Sequence, residues 1–140
     1  MIHFQLVTLT GVKFDEDVYE VVLPTLDGEI GVLTDHMPLV SVATNGVISI
    51  RRTSKIPDSQ MEHFATFGGV IEVADNTLRV LVDEADHSED INEAEAEKAL
   101  KLAEKMKAEA KDQVSLEHAQ GLIDRQAVRI RVAGLRRRRR

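Results

Sequence analysis

The sequence predicts an α+β protein, an N-terminal antiparallel β-sandwich followed by a C-terminal antiparallel two-helix hairpin. Three observations carry this. Short apolar stretches of period two recur between Ile2 and Val82, each ended by Gly, Pro, Asn or Asp. After Ala85 the texture switches to Ala, Glu, Lys and Leu, with no Gly or Pro before Gly121. Charge divides at the same place: residues 1–86 carry five basic against fourteen acidic side chains, and the remainder thirteen against ten. The expected division is a sandwich over 1–86, a helical hairpin over 87–135, and a disordered Arg-rich tail over 136–140.

Taking the chain in order, Ile2, Phe4 and Leu6 alternate with polar neighbours, and Val12 and Phe14 follow a turn at Gly11. Val18 to Leu23 is a further apolar run, stopped by Pro24. Gly28 to Leu39 (GEIGVLTDHMPL) reads as strand, tight loop, strand, because glycine takes positive φ and Pro38 forces Met37 out of the helical region. Leu39 to Ala43, Val47 to Ile50, Met61 to Phe67, Val70 to Val73 and Leu78 to Val82 add strands, with a long hairpin loop at Arg51 to Gln60. Gly68-Gly69 reads as a turn or bulge rather than a phosphate cradle. Short strands at this spacing make a sandwich or flattened barrel. With four Phe and one Tyr, its core must be built of Val, Leu and Ile.

Asn92 followed by Glu95 is a capping-box pattern, and acids crowd the first helical turn, where the helix dipole favours them. Ala99, Leu102, Ala103, Met106 and Ala110 form a stripe at helical spacing. A second helix is expected from Ser115, with Leu116, Ala119, Ile123, Ala127 and Ile130 as its stripe. The short link at Asp112 to Val114 folds the two back on each other. About five large apolar side chains must offset the ordering of some forty residues, at roughly 1.5 kcal/mol each. The hairpin therefore depends on docking elsewhere, and more than one docked state is physically accessible.

Composition excludes several chemistries. The 140 residues contain no cysteine, which removes disulfides, thiolate metal sites and cysteine nucleophiles. The opening MIHFQLVTL lacks a basic n-region, and no apolar run approaches the roughly 18 residues of a membrane span, so any membrane connection is expected to run through a partner. The five histidines, His3, His36, His63, His87 and His118, show no HxxxH or HExxH spacing. There is no G-x-S-x-G elbow and no Walker loop. Neither a metal, a cofactor nor a catalytic residue is expected.

The stretches VVLPT at 21–25, GEIGVLTDHMPL at 28–39, FGGVIEV at 67–73 and LRVLVDEAD at 78–86, in this order, closely resemble the sandwich of the bacterial epsilon-subunit family of F-type ATP synthases. The resemblance is specific over residues 1–86 and looser over the helices. It implies a non-catalytic central-stalk subunit that couples rotation to ATP synthesis in a proton-translocating enzyme and restrains ATP hydrolysis through its C-terminal helices. The implied partners are the gamma subunit, the c-ring and the alpha/beta catalytic head, at the cytoplasmic face of the cell membrane, with the membrane reached only through the complex.

The resemblance also assigns residues. Glu29 becomes a c-ring contact, and His36 a position on the foot of the sandwich beside gamma. Thr34-Asp35 stands where the family usually has Pro-Gly. Some members bind ATP between the helices through Ile/Leu-Asp-x-x-Arg-Ala and second-helix arginines. Here Ile91, Arg125 and Arg129 match, but Asn92 and Glu95 replace the aspartate and arginine, so ATP binding is not expected. Arg125, Arg129 and Arg131, with the run Arg136 to Arg140, become contacts to acidic surface of the catalytic head. Two rival readings use the residues alone: a nucleic-acid-binding module acting through the Arg-rich end, and a small metal-dependent sandwich enzyme. The acidic sandwich and the scarcity of stacking aromatics speak against nucleic acid.

Overall fold

The computed structural model describes residues 1–139, with side chains described through Arg136. Ten strands come first: β1 (Ile2–Thr8), β2 (Gly11–Val18), β3 (Glu20–Thr25), β4 (Gly28–Leu33), β5 (Leu39–Val42), β6 (Gly46–Arg51), β7 (Glu62–Phe67), β8 (Val70–Ala74), β9 (Thr77–Leu81) and β10 (Glu84–His87). Two helices follow, α1 (Glu93–Glu109) and α2 (Gln113–Arg139). The strands make two five-stranded sheets, ordered β2-β1-β9-β8-β5 and β10-β7-β6-β3-β4. Ile2, Phe4 and Leu6 of β1 meet Val21 and Leu23 of β3, Ile48 and Ile50 of β6, and Ile71, Leu78 and Val80 of β8 and β9 in the core between them. Phe14 packs 5.3 Å from Phe4 and edge-on at 6.2 Å from Phe64, centroid to centroid. The α+β reading holds.

Four details differ from the expectation. The pairing is antiparallel except between β1 and β9, which run parallel. Pro24 lies inside β3 rather than ending it. Its missing N–H is tolerated because β6 pairs with β3 only through Val22. β10 was not anticipated: GluAlaAspHis offers one apolar residue, and the segment joins the sheet as a half-buried edge on β7. It runs through His87, so the expected boundary after residue 86 falls inside a strand.

Gly69 has φ +131°, and a Cβ there would stand 2.1 Å from the Leu81 carbonyl oxygen, so the turn admits only glycine. At the rim, an ion-pair chain joins the two sheets. Arg52 donates to Glu16 of β2 at 3.0 and 3.2 Å and to Glu62 of β7 at 2.5 Å, and lies over the Phe14 ring. His87 stands 3.3 Å from the other Glu62 oxygen. Hydrogen bonds to Glu16 and then Glu62 hold the Arg52 pKa above its ordinary value. Burial pushes Glu62 upward, but Arg52 and His87 outweigh it and keep that carboxyl below the usual range.

Asn92 caps α1, its side chain accepting from the Glu95 N–H at 3.1 Å, as its position predicts. α2 starts two residues earlier than expected, because the Asp112 carboxylate accepts from the Ser115 N–H at 2.7 Å. That bond also lowers the Asp112 pKa.

The seam between the helices is thinner than its stripe suggested. Ala96, Ala103 and Ala119 are buried, while Leu102 is 61% exposed and Ala127 also faces outward. Leucine at 102 falls on the outer side because alanines at 96, 99 and 103 let the helices approach along their own row. The tail differs as well. α2 continues to Arg139, since arginine is a good helix former and Arg136 is tethered by the Ser88 and Ile91 carbonyls at 2.6 and 3.0 Å. The expectation of disorder for Arg140 lies outside the described residues.

Candidate functional site at the sandwich and hairpin junction

The hairpin meets the sandwich on the outer face of the second sheet. Ala65 and Phe67 of β7, Ile91, and Val132 and Ala133 of α2 form a second apolar cluster, with Val47 and Val128 at its edge. Strand alternation turns Ala65 and Phe67 outward while Phe64 enters the main core. α1 packs chiefly on α2, so the docked contact belongs to the C-terminal part of α2.

Around this small cluster the arginines expected to face another subunit are engaged within the chain. Arg125 donates to Glu84 at 3.0 Å; Arg129 donates to Glu84 and to Asp86, each at 2.9 Å. Both guanidinium groups lie over Phe67, at 5.5 and 4.9 Å from its ring centre. Arg125 and Arg129 are one turn apart on α2, while Glu84 and Asp86 are two apart on β10, so each pair shares a face and the two faces meet. Arg129 is the better covered, its side chain 21% exposed against 37% for Arg125.

The remaining expected site residues fall elsewhere. Arg131 is exposed and, with Leu135, walls a cleft of about 560 Å³ whose other side carries Glu20, Glu29, Arg51 and His63. Glu29 lies at the start of β4 and opposes Pro24 of β3. His36 lies beyond the other end of β4, where its Nδ1 is 2.7 Å from the Met37 carbonyl. The two positions therefore do not form one site. Asp35, with φ +58°, is held by its N–H donating to Asn76 at 2.8 Å, and Asn76 donates in turn to the Met1 carbonyl at 2.8 Å. A turn between β8 and β9 thus fixes the loop that departs from the family pattern.

Beside α1, a cleft of about 320 Å³ is lined by Asp86, Asp90, Ile91, Asn92, Glu95, Gln126 and Arg129. This is the place of the partial nucleotide motif. Three carboxylates line it, and its arginine is already paired. Among the described residues no group of three or more His, Asp or Glu side chains could hold a metal ion. His3 instead sits between Asp17 and Asp15 at 2.7 and 2.5 Å, and His63 pairs with Ser49 at 2.8 Å. Sequence reasoning missed Glu84, Asp86 and Phe67. The alternation of acids along 84–86 was the available signal.

Residues 1–88 match the family described as "ATP synthase, Delta/Epsilon chain, beta-sandwich domain". The chain belongs to that family. Along most of its length it is also similar to the ATP synthase epsilon chains of Gloeobacter violaceus, at 34% identity over 95% of this chain and 97% of that one, and of Nitratidesulfovibrio vulgaris strain DP4, at 34% over 95% and 96%. The family likeness therefore extends into the helices. Its fold resembles a chain in the Euglena gracilis mitochondrial ATP synthase OSCP/F1/c-ring structure, with TM-score 0.78 and 19% identity over 94% of this chain and 80% of that chain. A chain of the Tetrahymena thermophila central stalk/c-ring structure gives 0.60 and 16% over 93% and 91%.

Proposed function

We propose that this epsilon-family chain is a non-catalytic central-stalk subunit of a proton-translocating ATP synthase, coupling rotation to ATP synthesis and restraining hydrolysis with its hairpin. The observation that carries the regulatory half is the junction: a small apolar cluster ringed by three arginine–carboxylate contacts holds the hairpin to the sandwich. Each such half-exposed contact contributes about 1 kcal/mol or less, so release is within reach of a competing acidic surface. Once released, α2 offers Arg125, Arg129 and Arg131 to carboxylates of the catalytic head. The sandwich supplies the coupling half, with Glu29 toward the c-ring and His36 toward gamma, at the cytoplasmic face of the membrane. No helix of the described chain is long and apolar enough to cross a membrane, so attachment goes through the complex. The acidic lining of the α1 cleft repels phosphate, and ATP is not its ligand.

Affinity capture of the full chain from native membranes tests this reading. Gamma and c-ring recovered with it support the stalk assignment, and their absence from the captured material while the solubilised synthase stays intact overturns it.

A further inference from the structure

The joint between sandwich and hairpin is set by a histidine. After β10 the chain makes a short 3-10 turn, Ser88–Asp90, and His87 caps its start. The Glu89 N–H points at the His87 Nδ1, 3.1 Å away. A backbone N–H can only donate, so Nδ1 presents a lone pair and the neutral ring carries its proton on Nε2. Nε2 in turn stands 3.3 Å from a Glu62 carboxylate oxygen, an acceptor, and the ring meets Phe64 edge-on at 4.9 Å. The other neutral tautomer and the imidazolium would each set a ring N–H against the Glu89 N–H. Only one protonation state of His87 satisfies both neighbours.

What the turn holds is the hairpin. The Ile91 N–H closes it by donating to the Ser88 carbonyl at 3.4 Å, and the Ile91 side chain then enters the cluster of Phe67, Val132 and Ala133. Arg136 of α2 donates to the Ser88 and Ile91 carbonyls at 2.6 and 3.0 Å. The turn therefore gives the docking of α2 one apolar contact and two carbonyl acceptors, all aimed by the conformation that His87 caps.

We propose that His87 is a pH-sensitive latch: the neutral ring caps the turn and keeps the hairpin docked, and protonation at Nδ1 removes the cap and favours release. The charged groups around ring and turn are Glu62 of β7, held by Arg52 with Glu16 beyond it, Glu89 and Asp90 on the turn, and Arg136 of α2. The carboxylates favour the imidazolium whether the turn is formed or relaxed, whereas the Glu89 N–H opposes it only while the turn is formed. The released chain thus binds the extra proton better than the docked one, and by linkage acid shifts the balance toward release. The latch concerns docking within the chain itself and does not depend on the central-stalk reading.

Nitrogen NMR of the full chain near neutral pH reads the tautomer directly: Nδ1 should show the shift of an unprotonated ring nitrogen and Nε2 that of a protonated one. The reverse assignment overturns the proposal. Hydrogen exchange, expressed as protection factors, then measures docking at about pH 7.5 and about pH 5.5, within the range where histidine changes charge. Amides of α2 from Val128 to Ala133 should lose about fivefold of their protection in acid, the order of one lost cap, while those of β6 and β9 do not fall. His87→Asn keeps a capping oxygen without a titrating ring and should hold the wild-type neutral protection at both pH values; His87→Ala should show the reduced protection at both. Glu84, Asp86 and His63 also face α2. An acid loss as large in His87→Asn as in wild type belongs to them and overturns the latch, as does wild-type protection that is the same at both pH values. If a variant does not melt cooperatively, the tautomer and the wild-type pH pair decide.

Discussion

The guanidinium of Arg129 stands 4.9 Å above the centre of the Phe67 ring. The ring belongs to the sandwich and the cation to the hairpin, and the same cation pairs with Glu84 and Asp86. Arg129→Ala removes the stacking and two ion pairs together, and should weaken docking by about 1–2 kcal/mol, discounted for partial exposure. Hydrogen exchange checks this: amides of α2 should exchange about tenfold faster while those of β1, β6 and β9 keep their protection.

Opposite substitutions at this junction should give opposite signs. Glu84→Gln with Asp86→Asn loosens the hairpin but leaves its arginines intact, so hydrolysis by the reconstituted synthase should fall. Arg125→Ala with Arg129→Ala also loosens the hairpin but removes its grip on the head, so hydrolysis should rise. A steady-state ATPase assay of both assembled complexes is the check, and the same sign for both would contradict the competition.

His3 supplies a pH dependence. Hydrogen bonds to Asp17, then Asp15, raise its pKa above the ordinary 6.5. Since the folded value lies above the unfolded one, the stabilisation is complete below pH 6.5 and disappears as pH rises through the folded pKa. Melting temperatures of wild type and His3→Gln should therefore differ most in mild acid and converge toward alkaline pH.

Gly69→Ala should be among the most damaging single substitutions. The added carbon would overlap the Leu81 carbonyl, at a φ that L residues avoid. A loss of about 3 kcal/mol or more is expected in urea titration, and Gly121→Ala, with open space around it, should be neutral or stabilising.

ATP should not bind at physiological millimolar concentration. Asp86, Asp90 and Glu95 line the cleft, and Arg129 is held by carboxylates. Calorimetry on the isolated chain should show no saturating isotherm below about 1 mM, the equivalent of roughly -4 kcal/mol.

The sandwich was legible because alternation and turn residues announce a half-buried strand locally. β10 escaped because an edge strand needs only one buried side chain, here Ala85. Asn92 was readable as a cap, since capping is a matter of adjacent residues; the helix seam was not, since a stripe containing Leu102 and one lying on Ala103 differ only once a partner helix is placed. Likewise, the arginines were visible as charge, but their engagement by Glu84 and Asp86 depends on long-range docking, of which the alternating acids at 84 and 86 were the one local sign.

The rim chain from Glu16 through Arg52 to Glu62 and His87 has a mechanical consequence. Two stacked sheets held only by dispersion resist compression better than sliding, because apolar contacts have no direction. Arg52 is attached to one sheet through the β6–β7 loop and Glu62, and to the other through Glu16, with Phe14 beneath it. It acts as a rivet against shear. Sideways load on one sheet would thus reach the other as strain in a directional bond, and on the central-stalk reading proposed above the sandwich would turn as one piece.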